Sequence, residues 1–195
     1  MQFISIKNAS AEDMLSAESE IELNHPKLKA PAEFLKHDKS VYKQYIPLGM
    51  WELFRYKQAF WLFPTVQECL MPEGVKEDTL DLSQFDWPKL NGSEKAEVCL
   101  FRVADMLETP ERATTWFEGQ GFNVYITVYA ENHSQFGGAR IIASWPFRTH
   151  GTASPFDNLT FRWLGELGVT GGVGIVVEYN KKMEVKLVDI NYSFK

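Results

Sequence analysis

Beyond residue 122 the chain changes its period. Val124, Ile126 and Val128 alternate with Tyr125, Thr127 and Tyr129, and after a polar loop Ile141, Ala143, Trp145 and Phe147 alternate again. Residues two apart share one face of a strand, whereas a helix would scatter them round its circumference. These two runs therefore predict a β-hairpin. The last residues repeat the pattern: Val173, Ile175, Val177 and Tyr179 lead to a turn at Asn180-Lys181, followed by a strand from Met183 to Phe194. In that final run the apolar parity switches between Leu187 and Val188, which calls for a bulge or for burial on both faces.

The front of the chain reads differently. Ser10 and Asp13 form a helix start, with Met14, Leu15 and Ile21 as a narrow stripe ending near Leu23 before His25-Pro26. Pro31 to His37 adds a short helical turn or two. Met50, Trp51, Leu53 and Phe54 fit a helix, while Ala59 to Phe63 fits a buried strand. Pro64, Pro72, Gly74 and Pro88 then punctuate an irregular acidic connection over 64–92, which Leu80, Leu82, Phe85 and Trp87 tie to a core. Glu94 to Glu108 is the clearest helix, with Ser93 as its expected N-cap and Ala96, Cys99, Leu100, Val103, Met106 and Leu107 on one face. Thr109 caps a second helix, Pro110 suits its first turn, and Gly119 or Gly121 ends it.

Helices first and antiparallel strands later predict an α+β fold. N-terminal and central helices would pack on one face of a mostly antiparallel sheet built largely from the C-terminal half. At 195 residues the chain suits a single domain, 1–195, with a helical and irregular acidic front half (1–121) and a β-rich half (122–195). With 45% hydrophobic and 24% charged residues, composition excludes a disordered or collagen-like chain.

Apolar runs such as Ala59 to Phe63 fall far short of the ~20 residues of a membrane span, so no membrane association is expected. Met1 to Lys7 turns polar too early for an export signal. Cys69 and Cys99 form neither a zinc framework nor a dense disulfide pattern, which suggests a reducing compartment and a cytoplasmic protein. One feature sits awkwardly with that placement. Asn8, Asn91, Asn132, Asn158 and Asn191 each begin an Asn-x-Ser/Thr sequon, where eight Asn at this Ser/Thr content would give roughly one by chance.

Charge is uneven along the chain. Residues 1–118 carry 20 acids and 13 bases, whereas residues 119–195 carry six and seven, within a net charge of -6. Glu73, Glu77, Asp78, Asp81 and Asp86 form an acidic stretch relieved only by Lys76, suited to steering a basic protein partner. The basic block from 27 to 57, interleaved with Tyr42, Tyr45, Trp51 and Tyr56, is the sole segment suited to stacking bases. The acidic total opposes it, so no nucleic-acid partner is expected.

Catalytic motifs lack their usual residues. The glycines Gly165, Gly168, Gly171, Gly172 and Gly174 carry no Lys and lead into a strand, unlike a phosphate loop that opens a helix. His25, His37, His133 and His150 stand alone, so neither a metal site nor a cofactor is expected. Cys99, on an apolar stripe, reads as buried and inert. Ser40-Val41-Tyr42-Lys43 matches the SxxK spacing without its companion motifs. The alternative enzymatic reading is a small hydrolase or transferase using Glu131, His133 and His150 for proton transfer.

The expected role is a non-catalytic protein-binding protein that meets a basic partner through Glu73, Glu77, Asp78, Asp81 and Asp86, with Phe85 and Trp87 as aromatic anchors. Six Trp, seven Tyr and 14 Phe make an exposed aromatic patch a further expectation. Small acidic α+β chains without catalytic motifs include immunity-type proteins that neutralise a basic toxin or effector, an analogy of class and not of motif. A phage or mobile-element structural subunit is the remaining alternative.

Overall fold

The computed structural model describes residues 20–22, 50–129, 137–146 and 170–194. Strands β1 (Glu20–Glu22) and β2 (Thr79–Asp81) form a two-stranded sheet. Helices α1 (Met50–Leu62), α2 (Ser93–Leu107) and α3 (Pro110–Gly119) precede β3 (Asn123–Val128), β4 (Gly137–Pro146), β5 (Thr170–Asn180) and β6 (Val185–Phe194). The last four strands make an antiparallel meander in the order β3-β4-β5-β6. Helix α2 packs on β6 and α3 packs on β3 and β4, which is the α+β arrangement that the two periodicities predict.

The register explains which face is dry. Ile141 pairs with Val177 and Val177 with Val188, while Ala143 pairs with Ile175 and Ile175 with Ile190. All six are buried, as are Ala96, Val103 and Leu107 of α2 above them. Pairing of β5 with β6 shifts between Glu178 opposite Leu187 and Tyr179 opposite Val185. The extra residue, Lys186, is a bulge, the first of the two alternatives that the parity switch left open, and it lets both Val185 and Val188 face the core.

Helix boundaries follow local chemistry with two corrections. Thr109 accepts from the Arg112 N–H at 3.3 Å and Pro110 opens α3, as expected. The helix ends at Gly119; Gly121 follows in the turn with a φ of +87° that is open to glycine, and the Phe122 N–H reaches back to the Phe117 carbonyl at 3.0 Å. Ser93 is the first helical residue of α2 and not its cap, a position held by Gly92. Residues 59–62 continue α1 and are no strand: Tyr56, Ala59 and Phe60 lie on one buried helical face. Residues 20–22 are a strand where a helix was expected.

The two cysteines are joined. Cys69 and Cys99, both buried, form a disulfide with Cα atoms 5.6 Å apart, tying the acidic connection to α2. This crosslink overturns the cysteine argument for a reducing compartment. Cysteine spacing alone carries no information about which side chains a fold brings together.

Candidate functional site

The acidic connection folds back on itself. The Met71 N–H donates to the Gln84 carbonyl at 2.8 Å, the Asp86 N–H to the Cys69 carbonyl at 3.0 Å, and Leu70 bridges Phe85. Further out Val75 bridges Leu80, and the Lys76 N–H donates to the Thr79 carbonyl at 2.9 Å. Residues 69–86 therefore run out and back as an irregular hairpin, with Glu77 and Asp78 as the two central residues of its tip. Gly74 lets the arms close, since a Cβ there would lie 2.7 Å from Gln84 Cβ.

The base of this hairpin is fixed from several directions. The disulfide holds Cys69 to α2. Trp116 Nε1 of α3 donates to the Leu82 carbonyl at 2.8 Å, Trp87 Nε1 donates to Gln120 Oε1 at 2.8 Å, and Gln120 Nε2 donates to the Ser83 carbonyl at 2.9 Å. Edge-to-face contacts run from Phe85 to Trp87 (4.6 Å) and Trp116 (5.3 Å), through Phe117 and Phe122, and on to Trp145 of β4 (5.4 Å). Phe85 is 1% exposed and Trp87 6%. Neither can anchor a partner from the surface, contrary to the sequence expectation. They mount the hairpin on the core, because their large apolar area is worth more inside than at a wet rim.

The carboxylates divide by environment. Glu73, Glu77 and Asp78 are exposed and make no hydrogen bond or ion pair among the described residues. Asp81 is half-buried, and its Oδ1 accepts from the Ser83 N–H at 3.0 Å and from Ser83 Oγ at 2.5 Å. Asp86 is committed to the backbone, accepting the Lys89 N–H at 3.2 Å. Strand β1 adds acids that the sequence reading did not place beside this stretch: Glu20 lies opposite Asp81 and Glu22 opposite Thr79, both exposed, with Ile21 buried between them. Lys76 ion-pairs with Glu20, so the positive charge in the segment is already met. The short alternation Glu20-Ile21-Glu22 was the available signal, obscured by the longer helix-like stripe around it.

Exposed apolar side chains lie elsewhere as well. Val75, beside the tip, is 41% exposed, while Phe54 and Trp61 on α1 and Tyr125 on β3 supply the exposed aromatics. Glu131, His133 and His150, the proton-transfer candidates, fall outside the described residues. Among the described residues, no group of three or more His, Cys, Asp or Glu side chains could hold a metal ion, and no helix is long and apolar enough to cross a membrane.

Glu97 of α2 is buried. Its Oε1 accepts the Ile190 N–H of β6 at 3.1 Å and its Oε2 hydrogen-bonds the Tyr56 hydroxyl of α1. Burial pushes its carboxyl up to about 8, against the opposing pull of the two hydrogen bonds, with Asp189 and Glu94 adding like charge. Both oxygens are occupied by elements of the fold, so this perturbed acid joins α1, α2 and β6. Comparison of the chain with protein-family models, curated proteins and solved structures finds no match.

Proposed function

We propose that this chain is a non-catalytic protein-binding protein whose acidic hairpin, residues 73–81 with Glu20 and Glu22 alongside, receives a basic protein partner. One observation carries the reading: Glu73, Glu77 and Asp78 are exposed, without partners among the described residues, on a hairpin fixed by a disulfide and an aromatic cluster. A rigid mount lowers the ordering entropy that association must overcome, and clustered charge of one sign raises the encounter rate. Val75 takes the place of Phe85 and Trp87 as the apolar contact beside the charges. The immunity-type role expected for a cytoplasmic chain loses its cysteine argument to the Cys69–Cys99 crosslink. Recognition of a basic partner does not depend on that compartment.

The test is affinity capture from the native extract at low salt, using the wild-type chain and the variant E73K/E77K/D78K. Wild type should retain basic proteins that elute as salt rises, and the variant should lose them. Equal retention and equal salt dependence for the two chains would overturn the acidic docking surface.

A further inference from the structure

We propose that Asn91 and Asn191 are N-glycan acceptor sites, used in an oxidising compartment through which the protein passes. Five of eight asparagines open an Asn-x-Ser/Thr sequon, against roughly one by chance. A sequon has no meaning in a reducing cytoplasm, and the Cys69–Cys99 disulfide supplies the independent observation that it needs, because such bonds persist where thiols are oxidised. Three of the sequons, at Asn8, Asn132 and Asn158, lie outside the described residues, and the proposal concerns the other two.

Both described sites are on the surface. Asn91 precedes α2, followed by Gly92 at φ +136° and by Ser93. Its Oδ1 accepts from Lys95 Nζ at 2.6 Å, and its Nδ2, the atom that carries a glycan, donates to no group among the described residues. Asn191 lies on β6, an edge strand of the sheet, where its Nδ2 donates to Asp189 Oδ2 at 2.7 Å in an exposed contact that water replaces at little cost. A bulky polar group at either position requires no core side chain to move. Ile190 faces the core beneath α2, so its neighbour Asn191 stands on the opposite, exposed face of β6, whereas Asn91 stands at the start of α2.

In the transfer, asparagine Nδ2 forms a bond to C1 of the first sugar of a lipid-pyrophosphate-linked oligosaccharide. The C1–O bond breaks, the lipid pyrophosphate leaves with the electron pair, and the amide nitrogen loses one proton. The protein isolated from the cells that make it, treated with peptide-N-glycosidase in heavy-oxygen water, should yield labelled aspartate at positions 91 and 191. N91Q and N191Q should each remove one step of the glycosidase-sensitive mobility shift. Unlabelled asparagine at either position overturns the assignment of that site. Two free thiols in the native protein overturn the compartment.

Discussion

Glu97 Oε1 of α2 accepts the backbone N–H of Ile190 at 3.1 Å, closing an edge N–H of β6 that no further strand among the described residues satisfies. The same carboxyl meets the Tyr56 hydroxyl through its other oxygen. An unprotonated carboxylate here is buried without a cation among the described residues, whereas the protonated acid is neutral and still occupies both contacts.

Stability should consequently fall as pH rises. The folded-state pKa is raised from the ordinary 4.5 to about 8, so the contribution is fully present below 4.5 and lost as pH climbs through 8. The slope in that window reaches at most about 1.4 kcal/mol per pH unit. E97Q should flatten it and be the more stable chain at pH 9, as denaturant titrations across pH will read. Equal slopes for the two chains would remove Glu97 as the cause.

Loss of the Cys69–Cys99 bond should be expensive. It closes a loop with a sequence separation of 30, and chain entropy sets the loss at about 3–4 kcal/mol. The double variant C69A/C99A, compared with oxidised wild type in urea, measures it. Because both cysteines are buried, reductant without denaturant should act slowly on the wild-type protein.

Two glycines should resist alanine for different reasons. At Gly121 a Cβ would meet Trp145 Cζ3 at 2.7 Å and adopt φ +87°, so G121A should lose about 2–4 kcal/mol from left-handed backbone and overpacking combined. At Gly138 the Cβ would sit 2.0 Å from the Asn180 carbonyl oxygen. Backbone cannot yield there as a side chain can, and G138A should fail to give a folded, soluble chain. Thermal unfolding of G121A beside wild type, and the soluble yield of G138A, check both.

Tyr179 carries a buried hydroxyl without a hydrogen-bond partner among the described residues. Burial holds the phenol well above its usual range. Y179F removes an unsatisfied polar atom and keeps the ring, so stability should stay level or rise by up to about 1 kcal/mol. A loss of more than that would mean that the hydroxyl has a partner.

Pattern in the chain was enough to specify the α+β class, the β3–β4 and β5–β6 pairings, the Thr109 cap and an irregularity in the last strand, because each depends on neighbours a few residues apart. Periodicity is a local property, and local geometry turns it directly into helix or strand. The acidic character of residues 73–86 was equally plain, but its environment was not. Only tertiary structure buried Phe85 and Trp87, set Glu20 against Asp81 across 61 positions, and joined Cys69 to Cys99. Those outcomes depend on which distant surfaces meet as the core closes, and a residue type fixes what a side chain prefers without fixing which neighbour meets it.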